Sequence, residues 1–379
     1  MKYPSIPAQK PRFFGLDFLR VLAVVMILFS HSSWIYNSTG FLGKLQDMSG
    51  FFGIELFIAL SGFLIGRILY RQFQQGDYTL KDAALFVYRR MVRILPSYYL
   101  AILINVIIFL SFGFSIAAVW KYLFLLQNFS APISSFFPES WSLSVKEIGY
   151  VFAVFLLLVF STIFAKTSKR VLFPIVILVL IAVSLLLKLD YDLNSGNADL
   201  RLWSFSVRSV VIYRMDSVLI SVLFGYFFQA YGEFMLSKAK LFVVSGVLAF
   251  AFLIFCAIVL KLRLENASWF WNILCFPLIS LAVCLFIPYL LKWKSPSEKI
   301  GNLIDFVCKI SYSIYLLHYS IVLFLLKYFI DTSHYSIWQL NLFTISYLTI
   351  TFVLSYLMYA YFEKPINDYR IKKLQLDDK

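Results

Sequence analysis

Ionisable side chains interrupt the apolar runs of this sequence at positions where lipid would make them costly. The first run, residues 14–36, contains Asp17, Arg20 and His31. The eleven positions from Arg20 to His31, at about 100° each, bring the two side chains to nearly the same face of a helix, about 16 Å apart along its axis. Asp17 lies at i,i+3 from Arg20 and can pair with it. This face offers a guanidinium near one membrane surface and an imidazole near the other.

Each of these groups also has a structural interpretation. Arg20 could be an anchor at the membrane surface, and His31 could serve only as a hydrogen-bonding residue between helices. The chain contains three histidines, and this one faces the same way as an intramembrane arginine. The shared face favours a functional His31, whereas both interpretations of Arg20 stay open.

The second apolar run, residues 51–71, carries Glu55 about one turn from its start, at a depth close to that of His31. The same face continues through Gly62 and Gly66, whose spacing lets helices approach closely. A carboxylate paired with an imidazole orients the ring and raises its basicity, as a general base requires. The pattern predicts a Glu55–His31 pair. The alternative is a pair between Glu55 and another donor at the outer face.

Three arginines, Arg89, Arg90 and Arg93, precede the third apolar run. Guanidinium groups bind phosphate with paired hydrogen bonds, so this cluster could hold a phosphate-bearing cosubstrate. An arginine cluster at a membrane surface also binds acidic lipid headgroups. Charge alone favours the lipid interpretation.

Polar groups recur in later runs. Lys146 and Glu147 lie in the fourth run, Arg214 and Asp216 in the sixth, and His318 in the ninth. Residues at i,i+2 point to different sides of a helix, so Arg214 and Asp216 should each find a partner on another helix. His318 could be a purely structural hydrogen-bonding residue. Together these groups predict a charged and hydrated interior.

The composition assigns these runs to a membrane. Of the 379 residues, 61% are hydrophobic and 14% charged, against about 45–50% and about 25% in a soluble domain. This excludes a cytosolic globular enzyme, a disordered chain and a nucleic-acid binder. Ten runs are about long enough to cross a bilayer as helices, and the predicted fold is an all-α polytopic bundle of about ten transmembrane helices. The runs are 14–36, 51–71, 95–116, 141–165, 171–189, 206–230, 241–261, 270–291, 310–330 and 340–362.

The loop charges predict that both termini lie inside. In that orientation the inner segments contain 23 of the 34 lysines and arginines, as the positive-inside rule requires. Cytosolic tails at residues 1–13 and 363–379 then flank a membrane domain at 14–362, and residues 117–129 form an interfacial or re-entrant piece. The four cysteines lack CxxC spacing, so we expect buried apolar side chains and no metal site.

Seven motifs, in order along the chain, resemble the acyltransferase 3 family of integral-membrane O-acyltransferases. They occupy residues 15–31, 53–63, 90–96, 141–145, 214–216, 310–318 and 362–365. The first includes the Arg-x10-His spacing of Arg20 and His31, and the third includes the Arg-x-x-Arg of Arg90 and Arg93. The resemblance covers nearly the whole chain.

The resemblance implies transfer of an acyl group, usually acetyl, from cytosolic acyl-CoA to a hydroxyl of a glycan or another envelope molecule. It implies that His31 is the catalytic base or a transient acyl carrier and that Arg20 is the essential partner on its helix. Arg90 and Arg93 become the expected contacts to the CoA phosphates. Glu55 would support His31 as its paired carboxylate.

The chain departs from the family pattern at one position, since Lys146 stands where an acidic residue is common. Either the neighbouring Glu147 takes over the acidic role or the acceptor pocket differs. The reaction also needs an oxyanion stabiliser, for which Arg214, Ser61 or Ser144 could serve. The interior polar candidates are Asp17, Ser61, Trp141, Ser144, Glu147, Arg214, Asp216 and His318.

The expected partners are acyl-CoA (acetyl-CoA) as cosubstrate, a glycan or other hydroxyl-bearing acceptor, and the lipid bilayer, with no permanently bound cofactor and no nucleic acid. We expect an integral protein of the bacterial inner membrane. Some family members continue into a periplasmic esterase-like domain, whereas this sequence stops instead, so we expect a single-component enzyme that acts alone or beside a separate partner. A transporter or flippase for an envelope precursor is the alternative, because ten spans with intramembrane charges also fit it. A non-catalytic scaffold would instead tolerate alanine at the interior polar positions.

Overall fold

The computed structural model describes residues 13–37, 40–116, 118–194 and 199–377. The predicted N-terminal tail, apart from Phe13, and the last two residues of the predicted C-terminal tail lie outside these ranges. Ten helices in the described part of the chain are long and apolar enough to cross a membrane. They correspond one to one with the ten apolar runs, so the prediction of an all-α polytopic bundle is confirmed.

The helices follow the chain in this order. They are α1 (Phe14–His31), α2 (Ser33–Tyr36), α3 (Gly40–Gln74), α4 (Leu80–Ser111), α5 (Val119–Leu123), α6 (Trp141–Ile163), α7 (Lys169–Asn194), α8 (Leu200–Trp203), α9 (Val211–Ser237), α10 (Ala239–Ile258), α11 (Cys275–Leu290), α12 (Glu298–Leu317), α13 (Phe324–Phe329), α14 (Ile337–Met358) and α15 (Lys364–Asp377). A 3₁₀ turn (Pro138–Ser140) precedes α6, and π-helical turns occur at Ser204–Arg208, Phe270–Leu274, His318–Leu323 and Tyr359–Glu363.

The secondary structure of two segments outside the ten apolar runs could not be predicted from hydropathy. Residues 364–377 of the predicted tail continue the last helix after a π-helical turn and form α15. In residues 118–129, the described part of the predicted interfacial segment, the short helix α5 precedes an irregular loop. Its five residues rise about 7.5 Å, far less than the thickness of a hydrocarbon core.

The chain divides into two compact units. The first unit comprises residues 1–53, 88–116 and 293–379, and the second comprises 54–87 and 117–292. Each is described by itself below.

In the first unit, α1 packs against α12, and α14 packs against both α12 and α2. Arg20 contacts Cys308 near the start of α1, and His31 contacts His318 just after α12. The residue numbers rise together along both helices, so α1 and α12 run in the same direction. Each α12 residue therefore meets α1 at a matching depth.

Polar caps define where the later helices of the first unit begin. Ser297 accepts a hydrogen bond from the backbone N–H of Ile300 at the start of α12. At the start of α14, Ser336 and Gln339 form a reciprocal capping box. Such caps satisfy backbone N–H groups that have no partner inside the helix.

In the second unit, α9 packs against α6, α7 and α11, and α10 packs mainly against α11. Small residues of α3 allow close approach to α9. A Cβ placed on Gly62 would lie 2.5 Å from Cβ of Ser221, and one on Gly66 would lie 2.2 Å from the carbonyl oxygen of Val222. The predicted small-residue packing face of α3 is confirmed.

Candidate active site

His31 ends α1 in an aromatic cluster. Its ring centre lies 5.0 Å from that of His318 and 4.2 Å from that of Tyr319. Trp34, one turn further along, stacks near Tyr319 at 5.6 Å. His31 is half-buried, whereas His318 has no exposed surface. The imidazole predicted as the base therefore packs near His318 and Tyr319 and is only partly exposed.

His318 is held by the backbone of its own helix. Its Nδ1 lies 2.9 Å from the carbonyl oxygen of Tyr315 and 3.1 Å from that of Ile314. A π-helical turn begins at this residue. Its other ring nitrogen, Nε2, is buried without a hydrogen-bond partner among the described residues.

The other predicted residues of α1 meet α12 through a cysteine. Nη1 of Arg20 donates to Sγ of Cys308 at 3.2 Å, and that thiol donates to Oδ1 of Asp17 at 3.2 Å. The sequence placed Asp17 and Arg20 on one face, and the structure links them through Cys308. All four cysteines of the chain are buried, as predicted.

Arginines from three helices converge near the start of α1. Arg93 on α4 is exposed and lies within electrostatic range of Arg20, Arg90, Arg370 and the carboxylate Glu363. Four guanidinium groups against one carboxylate leave a net positive site. A site of this charge suits an anion such as phosphate.

Contacts from the end of the chain organise this arginine cluster. Arg370 on α15 donates from Nη1 to the carbonyl oxygen of Arg89 at 3.1 Å. Glu363 accepts a hydrogen bond from Ser313 of α12 at 2.9 Å. Sequence reasoning missed Arg370 because it was assigned to a solvated tail. The only signal was its positive charge.

Glu55–Arg214 and Lys188–Asp216 are ion pairs of the second unit whose side chains have no exposed surface. Nη2 of Arg214 donates to both carboxylate oxygens of Glu55, at 2.6 and 2.8 Å. Lys188 on α7 pairs with Asp216. Both Arg214 and Asp216 thus have partners on other helices, as their i,i+2 spacing predicted.

Phe276 of α11 lies between the two cations. The guanidinium of Arg214 is 3.6 Å from its ring centre, and Nζ of Lys188 is 5.5 Å from it. Sequence reasoning missed Lys188, although a lysine within an apolar run is itself a signal of an interior partner. Arg214 bonds both carboxylate oxygens of Glu55. These contacts do not test the predicted pair between Glu55 and His31, which stays a prediction.

The remaining candidates lie in the second unit. Oγ of Ser61 accepts from the hydroxyl of Tyr150 at 3.2 Å, and Oγ of Ser144 is buried without a partner among the described residues. Glu147 is buried. The Trp141 ring lies 5.5 Å from the guanidinium of Arg208. Ser61, Trp141, Ser144 and Glu147 were predicted as interior polar candidates. Their roles in catalysis stay predictions.

Metal-ligating side chains do not gather in the described ranges. No group of three or more His, Cys, Asp or Glu residues there has the geometry to hold a metal ion. The candidate residues of the first unit form an imidazole cluster, a thiol-bridged pair and an arginine cluster. Those of the second unit, described by itself, form the buried ion pairs Glu55–Arg214 and Lys188–Asp216. An imidazole and an anion-binding cluster are the groups that acyl transfer from a charged donor requires.

Comparisons with known proteins show the family. A family described as an acyltransferase domain matches residues 13–360. The peptidoglycan O-acetyltransferase OatA of Listeria monocytogenes is 26% identical over 93% of this chain and 55% of its own length. An O-acetyltransferase OatA of Staphylococcus aureus is 24% identical over 94% of this chain and 57% of its own length.

The chain thus spans little more than half the length of these curated relatives. No solved structure matches it. The family match extends over nearly all the described helices and includes the motifs that hold His31, Arg20 and the arginines of α4. The chain belongs to the acyltransferase 3 family, and it is an integral membrane protein of that family.

Proposed function

We propose that this protein is a membrane O-acetyltransferase that moves an acetyl group from cytosolic acetyl-CoA to a hydroxyl of an envelope glycan. One observation carries the proposal. The single helix α1 holds His31 beside His318 and Tyr319 at one end, and Arg20 in the arginine cluster at the other. The two ends are separated by about 16 Å along the helix.

The arginine cluster is the proposed site of the donor. The phosphates of acyl-CoA carry several negative charges, and guanidinium groups bind phosphate with directed, charge-assisted hydrogen bonds. Arg20, Arg90, Arg93 and Arg370 supply these groups from α1, α4 and α15. The pantetheine arm would then extend along α1 and bring the thioester towards His31.

His31 is the proposed base. It takes the proton of the acceptor hydroxyl while the hydroxyl oxygen forms a bond to the thioester carbonyl carbon. The carbon–sulfur bond then breaks, and the proton passes from the imidazole to the departing thiolate to give free CoA. The oxyanion of the intermediate needs a donor, for which Arg214, Ser61 and Ser144 stay the candidates.

The relatives support the acceptor class. One is named for the O-acetylation of peptidoglycan, and both come from bacteria. A hydroxyl of a cell-wall or other envelope glycan is therefore the acceptor we propose, with the protein in the bacterial plasma membrane. The bilayer separates such an acceptor from cytosolic CoA, which explains why transfer would need a membrane enzyme.

Acetyl-CoA consumption by the purified full chain in proteoliposomes, with a glycan fragment as acceptor, tests the proposal. Removing a positioned base costs typically about 10²–10⁴-fold, so His31→Ala should reduce kcat by that range and retain the folded helices. Arg93→Ala should raise the KM for acetyl-CoA more than it lowers kcat, because it removes binding to the phosphates.

The exposed histidine His334 gives the matched control, since His334→Ala should leave both constants unchanged. Mass spectrometry of the glycan should show the acetyl increment only with the wild type and the control. A transporter or flippase would consume no thioester. Full turnover by His31→Ala would also exclude the proposed mechanism.

A further inference from the structure

The thiol of Cys308 on α12 lies between two charged residues of α1. Nη1 of Arg20 donates to the sulfur at 3.2 Å, and the sulfur donates to Oδ1 of Asp17 at 3.2 Å. A guanidinium has only donors, so its contact must use a lone pair of the sulfur. The single thiol proton then belongs to the contact with the carboxylate. The two partners therefore fix both hydrogen-bond directions of Cys308, whose exposed fraction is 6%.

The thiol is a neutral acceptor, which matters beside the arginine cluster. Arg20 lies within electrostatic range of Arg93, and like charges at short range repel each other. A carboxylate in direct contact would hold the guanidinium and cancel most of its charge, whereas a thiol holds it without a charge of its own. Arg370 is held in a similar manner, because its Nη1 donates to the neutral carbonyl oxygen of Arg89.

The position of the contact on the guanidinium of Arg20 also matters. A guanidinium binds phosphate with two parallel N–H donors from one edge. The sulfur of Cys308 accepts from Nη1, so the edge formed by Nε and Nη2 is not the one that it uses. That edge can bind the same anion as the arginines of α4.

We infer that Cys308 is a positioning residue for Arg20: its sulfur holds Nη1 through a neutral hydrogen bond, so that the guanidinium keeps its charge and its Nε–Nη2 edge for a phosphate of the acyl-CoA donor. Asp17 acts one step further away, since it accepts the thiol proton and so directs a sulfur lone pair towards Arg20. The inference rests on the proposed function, in which the arginine cluster binds the donor. Cys308 takes no part in the transfer of the acetyl group.

Serine and valine at this position separate hydrogen bonding from packing. In Cys308→Ser the hydroxyl can donate to Asp17 and accept from Arg20, as the thiol does. In Cys308→Val the side chain fills the space but offers no acceptor. Loss of a hydrogen bond to a charged group costs about tenfold or more, so the Kd for CoA should rise by about that factor in Cys308→Val. Cys308→Ser should recover most of the loss.

Calorimetric titration of CoA into the purified full chain in detergent measures this binding without turnover. Cys256→Val is the matched control, because Cys256 is a buried thiol of the second unit that packs with Ala267 and Phe270. Its Kd should equal that of the wild type. Cys308→Ala also lacks an acceptor and replaces Cys308→Val if valine lowers the yield of folded protein. A Kd that is the same in the wild type and in these Cys308 variants overturns the inference.

Donors with and without phosphates give a readout that packing alone would not change. S-acetyl-N-acetylcysteamine has the thioester end of acetyl-CoA but no phosphate. In proteoliposomes Cys308→Val should raise the KM for acetyl-CoA at an unchanged kcat, and it should leave kcat/KM for the short thioester unchanged. Equal losses with both donors would make Cys308 a packing residue and overturn the inference.

The outcomes distinguish this inference from the proposed function. Acetyl transfer that depends on His31 and Arg93, with the same KM for acetyl-CoA in Cys308→Val as in the wild type, would overturn the inference and leave the proposed function intact. A wild type that binds CoA more tightly than Cys308→Val does, yet transfers no acetyl group, would overturn the proposed function instead.

Discussion

Two ion pairs without exposed surface, Glu55–Arg214 and Lys188–Asp216, are the most demanding contacts of the second unit. Removing ions from water costs several kcal/mol each, and mutual attraction recovers that cost only with good geometry and further contacts. Arg214 has these in part, because Nη2 bonds two oxygens of Glu55 and the guanidinium lies over the Phe276 ring. Its Nε and Nη1 are buried without a hydrogen-bond partner among the described residues. Each charge therefore depends on its partner.

The loss of unfolding free energy in the double variant of Glu55 and Arg214 should be smaller than the sum of the losses in the two single variants. Arg214→Met or Glu55→Leu alone leaves a buried charge uncompensated, which costs about 3–5 kcal/mol of unfolding free energy. The double variant removes both charges and should be closer to the wild type than either single variant. Denaturation of the purified proteins in detergent measures all four free energies.

An exposed pair supplies the comparison. Lys309 and Asp305 of α12 lie 2.7 Å apart at i,i+4, with 48% and 22% of their side chains exposed. Exposed pairs contribute at most about 1 kcal/mol, so Lys309→Met should change stability little. If the loss in the Glu55→Leu/Arg214→Met double variant equalled the sum of the two single losses, the pair would not be mutually compensating.

Sequence reasoning located these residues but did not assign their partners. It predicted interhelical partners for Arg214 and Asp216 because i,i+2 residues diverge, and the structure confirms this. It predicted a Glu55–His31 pair and left a pair with another donor open as the alternative. The structure shows Arg214 bonded to both Glu55 oxygens, and the Glu55–His31 pair stays a prediction. Partner choice depends on the rotation of each helix about its axis, which a hydrophobic run leaves undetermined.

Close approach of backbones is the dominant feature where α3 meets α9. A Cβ on Gly66 would lie 2.2 Å from the carbonyl oxygen of Val222, and a Cβ on Gly225 would lie 2.4 Å from that of Phe63. These neighbours are backbone atoms and cannot rotate away. In lipid, such packing replaces the hydrophobic effect as a source of helix association.

Gly66→Ala should therefore destabilise the protein far more than Gly149→Ala. Overpacking a tight contact costs typically about 1–3 kcal/mol, and at Gly66 the two helices must separate to admit the methyl group. At Gly149 a Cβ would meet Cγ1 of Val218 at 3.5 Å, an ordinary contact. The yield of monodisperse protein and its thermal unfolding temperature in detergent compare the two variants. Equal stability of both would show that α3 and α9 are packed less closely than the structure indicates.

At the level of elements, the sequence predicted the spans but not their irregularities. About 20 apolar residues are enough to identify a span, and all ten predicted spans are present among the described residues. The π-helical turns at His318 and Tyr359 have no counterpart in the hydropathy pattern, because one extra residue in a turn changes no residue type. These turns nevertheless contain two residues of the candidate site, since His318 begins one of them and Glu363 ends the other.

At the level of the whole molecule, the topology links the arginine cluster to the proposed donor. The charge distribution predicts that the termini lie inside, with 23 of the 34 basic residues in the predicted inner segments. In an alternating bundle the first and ninth spans must cross in the same direction, and α1 and α12 do run in the same direction. In the predicted orientation the start of α1, with Arg20, would face the cytosol, the side of the proposed acetyl-CoA donor.

Labelling of introduced cysteines with a membrane-impermeant maleimide tests this orientation. The four native cysteines are buried, so the background should be low. Asp77 lies between α3 and α4, in a predicted inner loop, and Glu265 lies between α10 and α11, in a predicted outer loop. Both side chains are exposed. In intact cells Glu265→Cys should react and Asp77→Cys should react only after permeabilisation, because the predicted inner loops carry the positive charge. The reverse pattern would place the arginine cluster outside the cell, out of reach of cytosolic CoA, and would contradict the proposed donor even if His31 proved essential.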